Sequence, residues 1–198
     1  MNDGKQRCAW SVGTEKEALY HDKHWGMPTS DDNTLFEFII LEAAQAGLSW
    51  RTVLEKHDGY KHYYRDFDVQ AVAKFDRQYL DIILQDSAII RHKLKVNSSV
   101  KNAQVFIQIQ QEFGTFAHYL WAFVDGKPIQ GKIRDYRQVP VETAVSKALS
   151  KDLKKRGMSF VGPTIMYAYM QAVGLVNDHE LSCHCYDKCL RAAEAFNL

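Results

Sequence analysis

A chain of 198 residues, 46% hydrophobic and 25% charged, is long enough to bury a core of its own, and a net charge of +1 excludes a nucleic-acid coat built on bulk positive charge while leaving room for a local basic patch. No apolar run reaches the roughly 18–20 residues that cross a bilayer, and the start, MNDGKQRCAW, lacks the apolar stretch of a secretory leader. The expected compartment is therefore cytoplasmic, where Cys8, Cys183, Cys185 and Cys189 read as thiols or metal ligands rather than as a disulfide frame.

The helical period dominates, and the chain reads as all-α in a single body over 1–198. The segment TLFEFIILEAAQAGLSWRTVLEKH opens with Thr34 and Glu37 in capping-box spacing. It is apolar almost all round from Leu35 to Ala46, the mark of a deeply buried helix. Further helices are predicted over 49–56, 59–66, 68–74, 77–85, 93–112, 115–124, 142–156 and 162–173. Strand alternation is confined to IQGKIRDYRQV. The segment 125–141, with Gly126, Pro128, Gly131 and Pro140, reads as a long surface connection.

Four groups of residues could carry chemistry. Glu42 shares a helix face with Leu35, Phe38, Ile39 and Ala46, where a carboxylate is costly unless it is paired or receives hydrogen bonds. It is either a structural anchor for an N–H or arginine, or the floor of a pocket. Trp10, Tyr20, Trp25 and Trp50 are either core rings or a box for a flat, cationic ligand. The stretch LQDSAIIRHKLKVNSSVKNA has the outline of a helix, a short turn with Ile89 and Ile90, and a second helix with Arg91, Lys93 and Lys95 near its start. It is either a plain αα-hairpin or a turn that offers N–H groups and basic side chains to a phosphate. Finally, His179 and Cys183 are spaced to share one helical turn. They would make a four-ligand zinc site only with partners from the other end of the chain: Cys8, with His21 or His24.

Taken in order, RCAW, YHDKHWGMP, LFEFIILEAAQAGLSWRTVL, DSAIIRHKLKV, KKRGMSFVGPT and MQAVGLVNDH resemble the bacterial 3-methyladenine DNA glycosylase I family over residues 7–186, leaving 187–198 as a tail. The resemblance implies a helix–hairpin–helix DNA glycosylase fold and excision of N3-methyladenine from alkylated duplex DNA by a monomer, with free 3-methyladenine and an abasic site as products. It implies one structural zinc held by Cys8, His21, His179 and Cys183, tying the two ends of the chain together. Glu42 would be the catalytic carboxylate that reads the base, with Trp10, Tyr20 and Trp50 around it. Residues 85–96, with Ile89, Arg91, Lys93 and Lys95, would grip DNA. Asp22 and Asp178, beside zinc-ligand positions, are expected to orient those ligands. The chain departs from the family pattern at Ala88 and Leu94, where relatives often carry glycine and where a Cβ restricts positive φ, and at Glu17, where some relatives have an aromatic pocket wall.

Overall fold

The computed structural model describes residues 3–198. It is built of α1 (Glu15–Lys23), α2 (Asp32–Gln45), α3 (Trp50–Glu55), α4 (His57–Tyr63), α5 (Val69–Val72), α6 (Arg77–Ile83), α7 (Lys93–Phe113), α8 (Phe116–Trp121), α9 (Ala144–Arg156), α10 (Pro163–Ala172) and α11 (Tyr186–Ala195). Two short strands, β1 (Ile129–Gln130) and β2 (Val176–Asn177), pair in parallel with Ile129 opposite Val176. No described helix is long and apolar enough to cross a membrane.

Helix α2 is the central pillar. Leu35, Phe36 and the whole run Phe38–Ala44, Glu42 included, are buried, and it packs against α3, α7, α8 and α10. Its start differs from the expected Thr34/Glu37 box. Asp31 is the N-cap and accepts from the Thr34 amide at 2.8 Å, which places Thr34 inside the first turn and frees Glu37 to meet His57 Nε2 at 2.6 Å. The next residue, Asp32, accepts from the Phe116 and Ala117 amides at 2.9 Å each, so one side chain takes two of the orphan donors of α8 and ties it to α2.

The predicted helices are found with starts within two residues and ends within three of those expected, and Ser49, Asp68, Asp76, His92, Thr115 and Thr143 each accept a backbone N–H and set the start of their helix. Three elements were not anticipated. Helix α1 is capped by Thr14, and its predominantly polar sequence hides its period. Helix α11 occupies the tail, and Phe196 just beyond it lies 4.2 Å, centroid to centroid, from Trp121 in the core. Strand β2 sits in the GLVNDH segment. The strand expected over 129–139 pairs only at its first two residues, with an isolated bridge from Ile133 to Glu180. That ladder lays the 125–141 connection along the segment after α10, and the Tyr136 amide donates to Glu180 at 2.8 Å.

Candidate active site

Between α1, α2, α3 and α10 lies a cavity of about 100 Å3, lined by Trp10, Tyr20, Trp25, Glu42, Gln45, Trp50, Tyr136, Ala168 and Gln171. That is below the roughly 300 Å3 at which sites for drug-sized ligands begin, and it suits one small ring system. Each wall has a local cause. The buried stripe of α2 carries Glu42 inward. Gly47, at φ +77°, lets the chain turn off α2, and Ser49 caps α3, so Trp50 is the first residue of a new helix and faces back over the cavity. The Trp50 ring lies 5.1 Å from Tyr20, and Trp10 stands edge-on to Trp25 at 5.1 Å. The four aromatics considered from the sequence thus all reach this cavity. Trp25 shares the wall without having been assigned there, and Gln45, Tyr136, Ala168 and Gln171 had no local signal.

Glu42 is 4% exposed, and no described residue hydrogen-bonds or ion-pairs with its carboxylate. Burial pushes its pKa up to about 8. Such a group is costly to keep charged in the free protein, and a cation in the cavity would relieve that cost. The neighbouring Tyr20 phenol is held well above its ordinary pKa, first by burial and then by the Glu42 and Glu37 carboxylates, so it stays protonated. Two indole donors, Trp10 Nε1 and Trp50 Nε1, are buried without a partner.

Directly behind the rings, Cys8, His21, His179 and Cys183 bring their ligand atoms within 4.8 Å of one another, all buried. Cys183 Sγ is 3.4 Å from His21 Nε2 and 3.5 Å from His179 Nδ1, and Cys8 Sγ is 3.7 Å from His179 Nδ1. A tetrahedral zinc with ordinary bond lengths separates sulfur and nitrogen ligands by about 3.6 Å, so the set fits a metal ion. The far nitrogens fix the rings: His21 Nδ1 meets Asp22 at 2.8 Å and His179 Nε2 meets the Trp25 carbonyl at 3.0 Å, which turns Nε2 of one and Nδ1 of the other toward the centre. Burial opposes ionisation of Asp22, but bonds from Arg7, His21 and His184 hold its pKa well below the carboxylate range. His179 and Cys183 do not share a helical turn, contrary to the spacing argument. The Cys183 amide bonds to the Glu180 carbonyl at 2.7 Å in a turn, and this fold-back brings the two ligands together. His24 lies outside the cluster and stacks near Tyr20.

Asp178 does not orient a ligand histidine. Its Oδ2 accepts from Tyr167 at 2.5 Å and from Gln171 Nε2 at 2.8 Å. Glu17 does not line the cavity either. It accepts from Thr14 at 2.9 Å and from Arg51 at 3.2 Å, bracing α1 against α3.

The turn between α6 and α7 is strapped to α4. Asp86 accepts from the Ala88 amide at 2.8 Å and from the Tyr63 hydroxyl, and Tyr60 receives the Ile90 amide at 3.3 Å. Gly59 makes this approach possible, since a Cβ there would lie 2.1 Å from the Ala88 carbonyl oxygen. Neither Ala88 nor Leu94 has positive φ, so the expected backbone restriction does not arise. Arg91 and Lys93 are exposed beside the start of α7, and Ile89 is buried as the hydrophobic anchor of the turn. Lys95 differs from the basic side chain expected to face a phosphate. Its ammonium is turned inward onto the Ala44 and Ala46 carbonyls at 2.9 and 2.6 Å, satisfying the C-terminal end of α2, and burial lowers its pKa.

A profile of the methyladenine glycosylase family matches residues 10–186. The DNA-3-methyladenine glycosylase of Haemophilus influenzae is 46% identical over 180 residues, which are 90% of this chain and 97% of that one. A crystal structure of a 3-methyladenine DNA glycosylase I superposes with a TM-score of 0.89 at 42% identity, covering 91% of this chain and all of the other. A single-residue variant of a 3-methyladenine DNA glycosylase I, solved in complex with 3-methyladenine, superposes at 0.87 with 32% identity over 90% of this chain and 96% of the other.

Proposed function

The chain belongs to the methyladenine glycosylase family, and from that premise we propose that it excises 3-methyladenine from alkylated duplex DNA, acting as a monomer in the cytoplasm and leaving an abasic site. The observation that carries this reading is Glu42, a buried carboxylate with no partner among the described residues, facing a small cavity walled by Trp10, Tyr20, Trp25 and Trp50.

Methylation at N3 makes the nucleobase cationic and weakens its bond to the sugar. In the hydrolysis, a water oxygen bonds to C1′ and the C1′–N9 bond breaks. Its electron pair passes to the base, which leaves neutral, and the proton of the water passes to solvent. No acid is needed to protonate the leaving group. The work of this chain is to hold the everted base, which a damaged and poorly stacked base permits at lower cost, and to favour its charge. The rings supply π faces to a cation, and Glu42 in its ionised form accepts from the base's N–H groups.

Cys8, His21, His179 and Cys183 would hold a zinc ion, whose chemistry would be that of a cross-link joining both ends of the chain. These residues keep Trp10 and Trp25 in place: the His179 ring packs edge-on to Trp25 at 4.7 Å, and His21 to Trp10 at 5.6 Å. The α6–α7 turn, with Arg91 and Lys93 at the start of a long helix, would serve as the helix–hairpin–helix element that receives a phosphate. The test is release of free 3-methyladenine from methylated duplex by the purified protein. If the protein binds duplex DNA but releases no base, it is a binding module rather than a glycosylase.

A further inference from the structure

The geometry points to Gln171 as the residue that makes the cavity select a 6-aminopurine over a 6-oxopurine, with Asp178 as the positioning residue that locks its amide. This deepens the reading of the cavity as a purine site and rests on it.

Gln171 lies on α10 and lines the cavity. Its backbone carbonyl accepts from the Gly26 amide at 2.9 Å, which ties that wall to the segment carrying Trp25. Its side-chain Nε2 donates to Asp178 Oδ2 at 2.8 Å. A carboxylate only accepts, so the amide nitrogen must face Asp178 and the amide oxygen must face away from it. Asp178 cannot easily swing aside. It is buried, Tyr167 donates to the same oxygen at 2.5 Å, and the other oxygen sits where a Cβ on Gly131 would come within 1.9 Å. Gln171 Oε1 has no donor among the described residues, and it is not one of the buried orphan atoms, so it is open to the cavity.

The cavity therefore presents two acceptors, the Glu42 carboxylate and Gln171 Oε1. An exocyclic amino group at C6 carries two N–H donors and can serve both. A carbonyl at C6 meets acceptor against acceptor. Glu42 alone would discriminate poorly, because a carboxyl group that takes up a proton near neutral pH can donate to that carbonyl. Gln171 does not titrate, and Asp178 prevents its amide from flipping. The fixed acceptor carries the discrimination.

The experiment measures quenching of tryptophan fluorescence by free 3-methyladenine and by its 6-oxo analogue, 3-methylhypoxanthine, for the full chain, Gln171→Met and Asp178→Asn. The wild-type chain should prefer the amino compound at pH 6 as well as at pH 8. Gln171→Met and Asp178→Asn should each reduce the affinity ratio about tenfold or more, the size expected for loss of a hydrogen bond of about 1.4 kcal/mol. Asp178→Asn should do so partly by gaining affinity for the 6-oxo compound, since an asparagine accommodates either orientation of the Gln171 amide. General loosening of the cavity would weaken both ligands together and leave the ratio alone. Two variants that keep the wild-type ratio within twofold would overturn the assignment while leaving the glycosylase reading intact. A variant that does not fold is replaced by Tyr167→Phe, which removes one of the two bonds holding Asp178 and should shift the ratio in the same direction. A wild-type chain that binds neither base, and releases none from methylated DNA, would remove the function and this inference together.

Discussion

Replacing Glu42 by glutamine tests the central claim from two sides. The group titrates near 4.5 when solvated and near 8 when buried here. Between those values the folded state holds a proton that the unfolded state has released, so stability falls as pH rises through this window, and the whole cost is present above pH 8. At 1.36 kcal/mol per pH unit the cost is about 3 kcal/mol at pH 7 and about 5 kcal/mol above pH 8. Glutamine has the same shape and does not titrate. Glu42→Gln should therefore melt close to wild type at pH 4.5 and above it at pH 7 by about 6–12 °C, taking roughly 2–4 °C per kcal/mol for a chain of this size. Excision of 3-methyladenine should fall about 10- to 150-fold, the range for losing a hydrogen bond to a charged group worth about 1.5–3 kcal/mol. In wild type, kcat/KM should climb toward pH 8 as the carboxylate forms in the free protein, and in the variant this rise should vanish. Calorimetry across pH and a base-release assay on methylated duplex give both readings. A variant no more stable than wild type at pH 8.5, with a pH–rate profile parallel to wild type, would show that residue 42 is neither strained by burial nor engaged with the base.

Stripping metal with a strong chelator should lower the melting temperature and alter tryptophan fluorescence, since the cluster backs onto Trp10 and Trp25, and elemental analysis should find one zinc per chain. Unchanged melting in a verified metal-free sample would refute a structural ion. Arg91→Ala with Lys93→Ala should weaken binding to unmodified duplex and reduce the slope of log K against log salt by about 2, read by fluorescence anisotropy. Lys95→Met should leave that slope alone and instead lower stability by about 1–3 kcal/mol, because the Ala44 and Ala46 carbonyls lose their donor. Gly59→Ala should destabilise by about 1–3 kcal/mol in urea titrations and weaken duplex affinity, as its methyl group must displace the Ala88 carbonyl.

Much of the helical body was legible in the sequence because it depends on local chemistry. An apolar period and a nearby start signal, a capping side chain for α2, α7 and α9 and Pro163 for α10, are written close together, so these helices could be placed to within a few residues. Glu42 stood out for the same reason, as a charge on an apolar face. The ligand set Cys8, His21, His179 and Cys183 came from resemblance, since spacing left His24 open and suggested a helical turn where the chain forms a tighter one.

What the tertiary structure decided is how distant side chains are spent. Lys95 reads as a basic residue of the hairpin, yet its stem crosses to the end of α2, because the Ala44 and Ala46 carbonyls there need a donor more than the surface needs a charge. Asp178 sits beside a metal-ligand position and serves Gln171 instead, seven residues earlier. Tyr136 belongs to a segment that looks like a solvent-exposed connection until the pairing of β1 with β2 brings it to the cavity. A sequence determines periodicity, caps and the presence of a costly buried charge, since these are energies of neighbours along the chain. Which donor meets which acceptor across the molecule is set by packing, where a buried polar group left without a partner within about 3 Å is costly and the fold alone determines who is near enough.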